Sequence, residues 1–228
     1  HVVTIEDPVE YEIDGVNQIQ VDERHNLEFA DGIKAALRLD PDCLMIGEIR
    51  EPGAAIQTMN ASIQGHVVMA TMHSRDAVSA VTRLRNFNGE NHQIAASLGL
   101  VANQRLVRKL CRECRQEKKL AAHEEKYFNR FQLDPPDTAF GPKGCESCRM
   151  TGYFDRTGLF EIWRLDETAY ELISGNADEE TIREKSKLSG RSSIHEHARD
   201  LIEEGVTSID EVIRLGLDLP WSEYHMLK

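Results

Sequence analysis

A short apolar run that ends in charged residues constrains the fold of this chain more than any other feature. The run is Cys43–Ile46, and Gly47-Glu48-Ile49-Arg50 follow it directly. Four consecutive apolar residues suit a strand that is buried on both faces, as in a parallel sheet. Parallel sheets carry their ligand-binding groups at the carboxyl ends of the strands. Taken alone, the run favours a core strand that ends in a solvated acid, so the neighbouring segments must decide.

Two further segments have the same character. One strand is predicted over His1–Glu6 and ends in Asp7-Pro8; a second buried strand is predicted over 66–72 and ends in His73-Ser74. The order strand, helix, strand, helix indicates right-handed crossovers in a parallel sheet. Such a sheet brings the three strand tips to one edge. Polar, ionisable tips on three apolar strands therefore predict a functional site.

Apolar residues at helical spacing separate and follow these strands. Helices are predicted over 29–39, over 52–65 and from Ser74, as N-cap, onward. A further helix is predicted over 94–110, and its basic end, Arg108-Lys109, is interpreted as structural because cations are favourable at a helix C-terminus. The segment 11–21 is predicted to form a small β-ribbon.

Four of the five cysteines form two Cys-x-x-Cys pairs, Cys111 with Cys114 and Cys145 with Cys148. Each pair can hold one side of a metal ion, and two pairs complete a tetrahedral thiolate site with no open position. This spacing predicts a structural zinc site in a reducing compartment. The alternative is four free, buried thiols. Cys43 lies within the apolar run and is interpreted as a small hydrophobic residue.

The last third of the chain is predicted to be one strand followed by charge-rich helices. The strand covers 158–163 and the helices begin at Glu167. Ser208 and Glu211 have the spacing of a capping box for a final helix. His195 and His197 are two residues apart, so they do not share a helix face and are interpreted as surface residues.

Charge and hydropathy argue against two classes of protein. The formal net charge is −12, which disfavours nucleic-acid binding because that function needs basic surface. No apolar run reaches 18 residues, so no transmembrane helix is predicted. Because the first residues already have the pattern of a strand, we expect the natural chain to begin earlier.

These motifs, in this order, resemble the C-terminal part of the type II secretion ATPases and type IV pilus-assembly (extension) ATPases. The matching segments are Val3–Tyr11 (the family's Asp box), Asp40–Arg50 (Walker B), Gly65–His73 (His box), 82–84 and 104–107 (arginine-bearing helices), and 144–156 (tetracysteine zinc element). Retraction ATPases of the superfamily generally lack the cysteine element, which favours extension or secretion. The His box departs from the family, since His73-Ser74-Arg75-Asp76 stands where His-Thr-Asn-Asp is usual.

The resemblance implies an α/β fold. Its core is a parallel-sheet, RecA-like P-loop ATPase core that is truncated at its N-terminus, with a tetracysteine zinc element and a C-terminal helical region. The implied domains are 1–108 for the partial ATPase core, 109–163 for the zinc-binding element and 164–228 for the helical subdomain.

The resemblance also implies a site and a function. Glu48, Glu6 and His73 would be catalytic; Asp7, Glu10, Arg83 and Arg105 would bind the cofactor; and Cys111, Cys114, Cys145 and Cys148 would hold zinc. The full-length protein would be a hexameric ATPase that uses ATP and Mg²⁺. It would lie in the cytoplasm, peripheral to the inner membrane, and act on a platform protein to drive secretion or pilin assembly.

One absence qualifies this reading. No Gly-x-x-x-x-Gly-Lys-Ser/Thr loop occurs in the 228 residues, so this chain alone is expected to be inactive. The alternative is a non-enzymatic zinc-ribbon module on a degenerate P-loop fold. Four points stay open: secretion against pilus extension, the cargo, the oligomeric state of this chain, and which arginine acts between subunits. Whether the missing loop reflects truncation or natural absence is open as well.

Overall fold

The computed structural model describes residues 1–22, 27–186 and 191–217. The strands are β1 (Val2–Glu6), β2 (Asn17–Gln20), β3 (Cys43–Ile46), β4 (Val67–Ala70), β5 (Leu100–Leu110), β6 (Gln116–Lys118), β7 (Ala139–Gly141) and β8 (Tyr153–Arg164). The helices are α1 (Phe29–Leu37), α2 (Pro52–Ile63), α3 (Ala77–Asn86), α4 (Asn91–Ser97), α5 (Ala122–Arg130), α6 (Glu167–Ser174), α7 (Glu179–Ser186), α8 (Ile194–Glu203) and α9 (Ile209–Arg214).

The chain divides into two compact units, and each is built from two separate stretches. The first unit contains 1–103 and 163–191, and the second contains 104–162 and the residues from 192 onward. Strands β5 and β8 pair with each other and both contribute residues to each unit. The sequence predicts three functional domains with the limits 1–108, 109–163 and 164–228. These limits stay a prediction, and part of the third domain lies outside the described residues.

A parallel sheet in the order β2-β1-β3-β4 forms the centre of the first unit. Ile5 of β1 pairs with Ile46 of β3, and Ile46 pairs with Ala70 of β4. The predicted parallel sheet is therefore confirmed. The β-ribbon prediction is wrong, because 17–20 adds to β1 as a parallel strand instead of folding back on 11–16.

The two central strands supply the core of the first unit. Val3, Ile5, Leu44 and Ile46 are fully buried, and helices α1 and α2 cover them. Gly32 permits the close approach of α1, since a Cβ there would lie 3.0 Å from Ile5 Cγ2.

Strand β4 differs from the central strands. Its Val67 is 62% exposed and its Met69 is 53% exposed. The strand predicted over 66–72 is therefore confirmed over Val67–Ala70, but its predicted burial is wrong. The physical reason is position, because β4 is the outer strand of the sheet in the part of the chain that the structure describes.

The start of α2 agrees with the prediction, whereas the start of α3 lies later in the chain than predicted. Pro52 occupies the first position of α2, where its missing N–H costs nothing. Helix α3 begins at Ala77 and not directly after Ser74, because Asp76 is its N-cap. The Asp76 side chain accepts a hydrogen bond from the Ser79 backbone N–H, and the Ser79 hydroxyl accepts one from the Asp76 backbone N–H. These two bonds form a capping box.

The helix predicted over 94–110 is wrong over most of its length. Only α4, which ends at Ser97, is helical, and 100–110 forms strand β5. From Leu100 to Val107 every second residue of β5 is the less exposed one, and these positions include Asn103 and Arg105. The sequence consequently lacks the apolar alternation that marks a strand.

The second unit has its own apolar core, in which Phe128, Leu159, Ile202 and Val212 are fully buried. His195 packs within this unit, with its ring stacked on Phe131 at 3.5 Å between centroids. His197 Nδ1 accepts the backbone N–H of Phe160 at 3.0 Å. The two histidines are thus half-buried packing residues, and the prediction that they are surface residues is wrong.

A buried carboxylate stabilises the second unit. Glu211 is 1% exposed and accepts hydrogen bonds from the guanidinium groups of Arg108 at 2.5 Å and Arg214 at 2.9 Å. Ser208 is the N-cap of α9, as predicted, and its hydroxyl accepts the Glu211 backbone N–H. The Glu211 side chain binds the two arginines instead of making the return bond of a capping box. Arg108 is structural, as expected, although it acts from a strand and not from a helix end.

Among the described residues, no helix is long and apolar enough to cross a membrane.

Candidate functional site

The parallel sheet brings three predicted strand tips together in the first unit. Arg50 lies between two carboxylates, 2.5 Å from Glu48 Oε1 and 3.0 Å from Asp7 Oδ2. His73 Nε2 lies 3.9 Å from the other oxygen of Glu48. The His73 side chain is 92% exposed and that of Glu48 is 24% exposed. Two acids, a guanidinium and an imidazole therefore meet at one accessible edge of the sheet.

Backbone bonds beyond the ends of the strands fix this arrangement. Gly47 N–H donates to the carbonyl of Ile5 at 2.7 Å, and Ile49 N–H donates to the carbonyl of Thr71 at 2.8 Å. A Cβ on Gly47 would lie 3.1 Å from the Ile5 carbonyl oxygen. A larger residue before Glu48 would therefore press against the backbone of β1, which favours glycine at this position.

Electrostatics keeps Glu48 ionised. The hydrogen bond from Arg50 is the main cause that lowers the pKa of the Glu48 carboxyl. Burial opposes it, and the charges of Arg50 and His73 add smaller contributions in the same direction as the hydrogen bond. In return, Glu48 and Asp7 raise the pKa of Arg50. An ionised carboxylate at the tip of a strand can accept a proton from water or bind a hard cation.

The other two predicted acids are placed differently. Glu6 is half-buried, and its Oε1 accepts from Thr4 Oγ1 at 2.5 Å and from Gln18 Nε2 at 2.9 Å. Glu10 is exposed in the loop after β1. The structure thus groups Asp7, and not Glu6, with Glu48 through Arg50. The sequence placed Arg50 at the right edge without assigning it a role.

The two predicted arginines belong to different units. Arg83 lies on α3, its guanidinium is 5.0 Å from the centre of the Phe87 ring, and its Nε is buried without a partner among the described residues. Arg105 lies on β5 in the second unit and donates to the carbonyl of Gln104 at 2.9 Å. The expectation that Arg105 sits on a helix is therefore corrected to a strand.

The four paired cysteines lie together in the second unit, close enough to hold a metal ion. All four sulfur atoms lie within 4.8 Å of one another. Three Sγ–Sγ distances are 3.7–3.8 Å: Cys111 to Cys145, Cys114 to Cys148, and Cys145 to Cys148. Thiolates at about 2.3 Å from a tetrahedral zinc ion are about 3.8 Å apart. The sulfur positions therefore fit a tetrahedral ion of that size.

Local backbone shapes this centre. Backbone N–H groups of Cys145 and Gly152 each donate to Cys148 Sγ at 3.2 Å. Burial opposes ionisation of Cys148, but these bonds prevail and lower its pKa to about 6. Burial raises the pKa of Cys114 to about 11. Gly144 has φ +95°, and a Cβ there would lie 2.8 Å from the Met150 carbonyl oxygen, so glycine is required at that turn.

Comparison of the sequence with known proteins identifies its relatives. The chain is 40% identical over 215 residues to the type II secretion system ATPase E of Vibrio cholerae, covering 94% of this chain and 42% of that protein. It is 37% identical to the type IV pilus assembly ATPase TfpB of Acinetobacter baylyi, covering 94% of this chain and 37% of that protein. The chain thus spans about two fifths of the length of these relatives.

Solved structures show the same fold at lower identity. The pilus retraction motor PilT with bound ADP superposes with a TM-score of 0.67 at 21% identity, over 99% of this chain and 55% of that one. The Legionella pneumophila ATPase DotB gives a TM-score of 0.63 at 21% identity, over 94% of this chain and 51% of that one. The α/β fold with a parallel sheet is therefore shared with these ATPases.

The family model described as "Type II/IV secretion system protein" matches residues 1–214. Because that match takes in both the strand-tip site and the cysteine centre, the chain belongs to the type II/IV secretion system protein family.

Proposed function

We propose that this chain supplies the catalytic-carboxylate half of an ATPase that drives type II secretion or type IV pilus extension. The observation that carries the proposal is the meeting of Glu48, Asp7 and His73 at one accessible sheet edge. Two relatives at 40% and 37% identity are named as ATPases of these two machines.

Within this proposal each group has a role. Glu48, held ionised by Arg50, accepts a proton from the attacking water or orients it. Asp7 and Glu10, with Glu6, would hold Mg²⁺, which supplies charge neutralisation at the phosphates when bound. His73, exposed and next to Glu48, contacts the terminal phosphate.

An arginine completes the site from a neighbouring subunit. Arg83, whose buried Nε has no partner in the described part of the chain, or Arg105 would serve, and the ring would be a homo-hexamer. The assembly would work in the cytoplasm against a platform protein of the inner membrane.

The cysteine centre would hold structural zinc. Four sulfur donors leave no open coordination position, so the ion would brace the second unit and take no part in hydrolysis. The spacing of the sulfur atoms supports zinc over free thiols.

The test uses a chain extended upstream to include a phosphate-binding loop. Glu48→Gln should lower ATP hydrolysis by at least about a hundredfold, because removing one catalytic group costs several kcal/mol of barrier at about 1.4 kcal/mol per tenfold. Nucleotide binding and assembly should be unchanged. Glu90→Gln, an exposed carboxylate of the same unit, is the matched control. Near-normal hydrolysis by Glu48→Gln would refute the catalytic role of Glu48.

A second candidate is a non-enzymatic zinc-ribbon module. The observation in its favour is that the 228 residues contain no Gly-x-x-x-x-Gly-Lys-Ser/Thr loop. The same pair of chains separates the two functions. Hydrolysis by the extended chain but not by the 228-residue chain supports the ATPase, whereas hydrolysis by neither supports the module.

A further inference from the structure

An ion-pair network within the first unit joins the loop that carries His73 to helix α7. The loop ends at Asp76, the N-cap of α3. Arg183 of α7 donates to Asp76 Oδ2 at 2.8 Å and to Glu179 Oε1 at 2.7 Å. Arg75 donates to the same Glu179 oxygen at 3.1 Å. The two residues that follow Ser74 are therefore both tied to α7.

The network is partly shielded from water, which strengthens it. Side-chain exposure is 19% for Asp76, 29% for Arg183 and 31% for Glu179. Burial opposes the ionisation of Asp76, but the charge of Arg183 and the Ser79 N–H bond outweigh it and lower the Asp76 pKa. Charge-assisted bonds to half-buried carboxylates fix geometry better than exposed surface pairs do.

The same C-terminal segment also holds the rest of α3. In the middle of the helix, Thr82 Oγ1 donates to Glu179 Oε2 at 2.8 Å. At its last turn, Arg85 donates to the carbonyls of Ala177 at 2.8 Å and Ile173 at 3.3 Å. Because both ends of α3 are bonded to the α6–α7 segment, the start of α3 can move only if α7 moves or its bonds break.

His73 depends on this anchorage for its position. Its side chain is 92% exposed, so packing does not hold it beside Glu48. The carbonyl of Ser74 accepts from Asn103 Nδ2 at 3.3 Å, which is long for a hydrogen bond. We propose that Glu179 and Arg183 are positioning residues that hold His73 next to Glu48. The proposal rests on the proposed function, in which Glu48 and His73 act on the nucleotide.

Hydrogen exchange tests the positioning without any nucleotide. The backbone N–H groups of Arg75 and Asp76 donate to Ser79 Oγ at 3.1 and 3.0 Å and report on the loop. In the 228-residue chain, Arg183→Met should speed exchange at these amides about tenfold. Glu179→Gln should do the same, and it replaces Arg183→Met if that variant does not fold.

The control breaks an equivalent pair elsewhere. Arg199 and Glu203 on α8 form an Arg–Glu pair at 3.1 Å with comparable exposure, in the second unit. Arg199→Met should leave exchange at the His73 loop unchanged. Equal exchange rates at that loop in the Arg183 and Arg199 variants would overturn the proposal.

Turnover gives the second readout, in the chain extended by a phosphate-binding loop. Arg183→Met should lower kcat about tenfold and leave KM for ATP within about twofold, because misplacing a group near the reacting atoms affects rate more than binding. Arg183→Lys, which keeps the charge, should recover part of kcat. Wild-type kcat in Arg183→Met would overturn the proposal. Full hydrolysis by Glu48→Gln would instead refute the proposed function. In that case the exchange experiment would still decide whether Arg183 holds the His73 loop.

Discussion

Replacing Glu211 with glutamine should destabilise the second unit by about 2 kcal/mol at neutral pH. The carboxylate is 1% exposed. Burial opposes its ionisation, but the bonds from Arg108 and Arg214 prevail and lower the pKa of Glu211 from 4.5 to about 2. A shift of that size corresponds to roughly 3 kcal/mol at about 1.4 kcal/mol per unit. Water reaches both arginines, which are 43% and 58% exposed, and screening reduces the value.

The pH dependence has a defined sign. Because the pKa of Glu211 is lower in the folded chain than its ordinary 4.5, the stabilisation is complete above pH 4.5 and is lost as the pH falls through about 2. Urea denaturation followed by far-UV circular dichroism at several pH values measures it. The difference in unfolding free energy between wild type and Glu211→Gln should be constant from pH 7 to about 5 and should shrink below that.

A matched control removes an exposed carboxylate from the same unit. Glu125 lies exposed on α5, so Glu125→Gln should change the unfolding free energy by less than about 0.5 kcal/mol. A similarly small effect of Glu211→Gln at pH 7 would refute the reasoning. So would a difference between wild type and Glu211→Gln that does not diminish between pH 4.5 and 2.

Two further predictions concern the metal centre and the strand-tip site. Elemental analysis should find about one zinc per chain. The Cys145→Ser variant, which lacks one of the clustered thiols, should lose most of that zinc. A metal-free wild type with four titratable thiols would exclude the zinc site. Arg50→Met should raise the pKa of Glu48, because the Arg50 hydrogen bond is the largest cause of its depression. A ¹³C-NMR titration of the glutamate carboxyls measures this, and an unchanged Glu48 pKa would exclude Arg50 as the cause.

Much of the first unit could be predicted because its evidence is local. The apolar run over 43–46, the Pro52 helix start and the alternation of strands with helices all lie within short windows of sequence. Parallel strands must then end at one edge, so the meeting of Glu48 and His73 follows from chain order alone.

The parts that could not be predicted depend on distant partners. Strand β5 carries the polar residues Asn103 and Arg105 at its less exposed positions, and its partner β8 begins more than forty residues after it ends. Glu211 has the local pattern of a capping residue, yet its arginine partner Arg108 lies 103 residues away. The exposure of Val67 depends on which strands flank β4, and the sequence of β4 does not encode that.

The network around Arg183 is the same kind of case. The sequence shows Arg75 as a departure from the usual His box, but its partner Glu179 is 104 residues away. A charge pattern on a helix such as α7 is typical of a solvated surface. Only the fold reveals that one face of that helix holds the loop of the candidate site.

The interleaving of the two units has a consequence for how the protein is made. During synthesis, residues 1–103 leave the ribosome long before 163–191, and both stretches are needed to complete the first unit. Until then Arg85 of α3 lacks the carbonyl that it binds, and Arg75 of the preceding loop lacks the Glu179 carboxylate. The nascent chain therefore carries its strand-tip residues with the His73 loop not yet secured. A ribosome-bound chain that stops before Trp163 should be cut by proteases in that loop faster than the finished protein is.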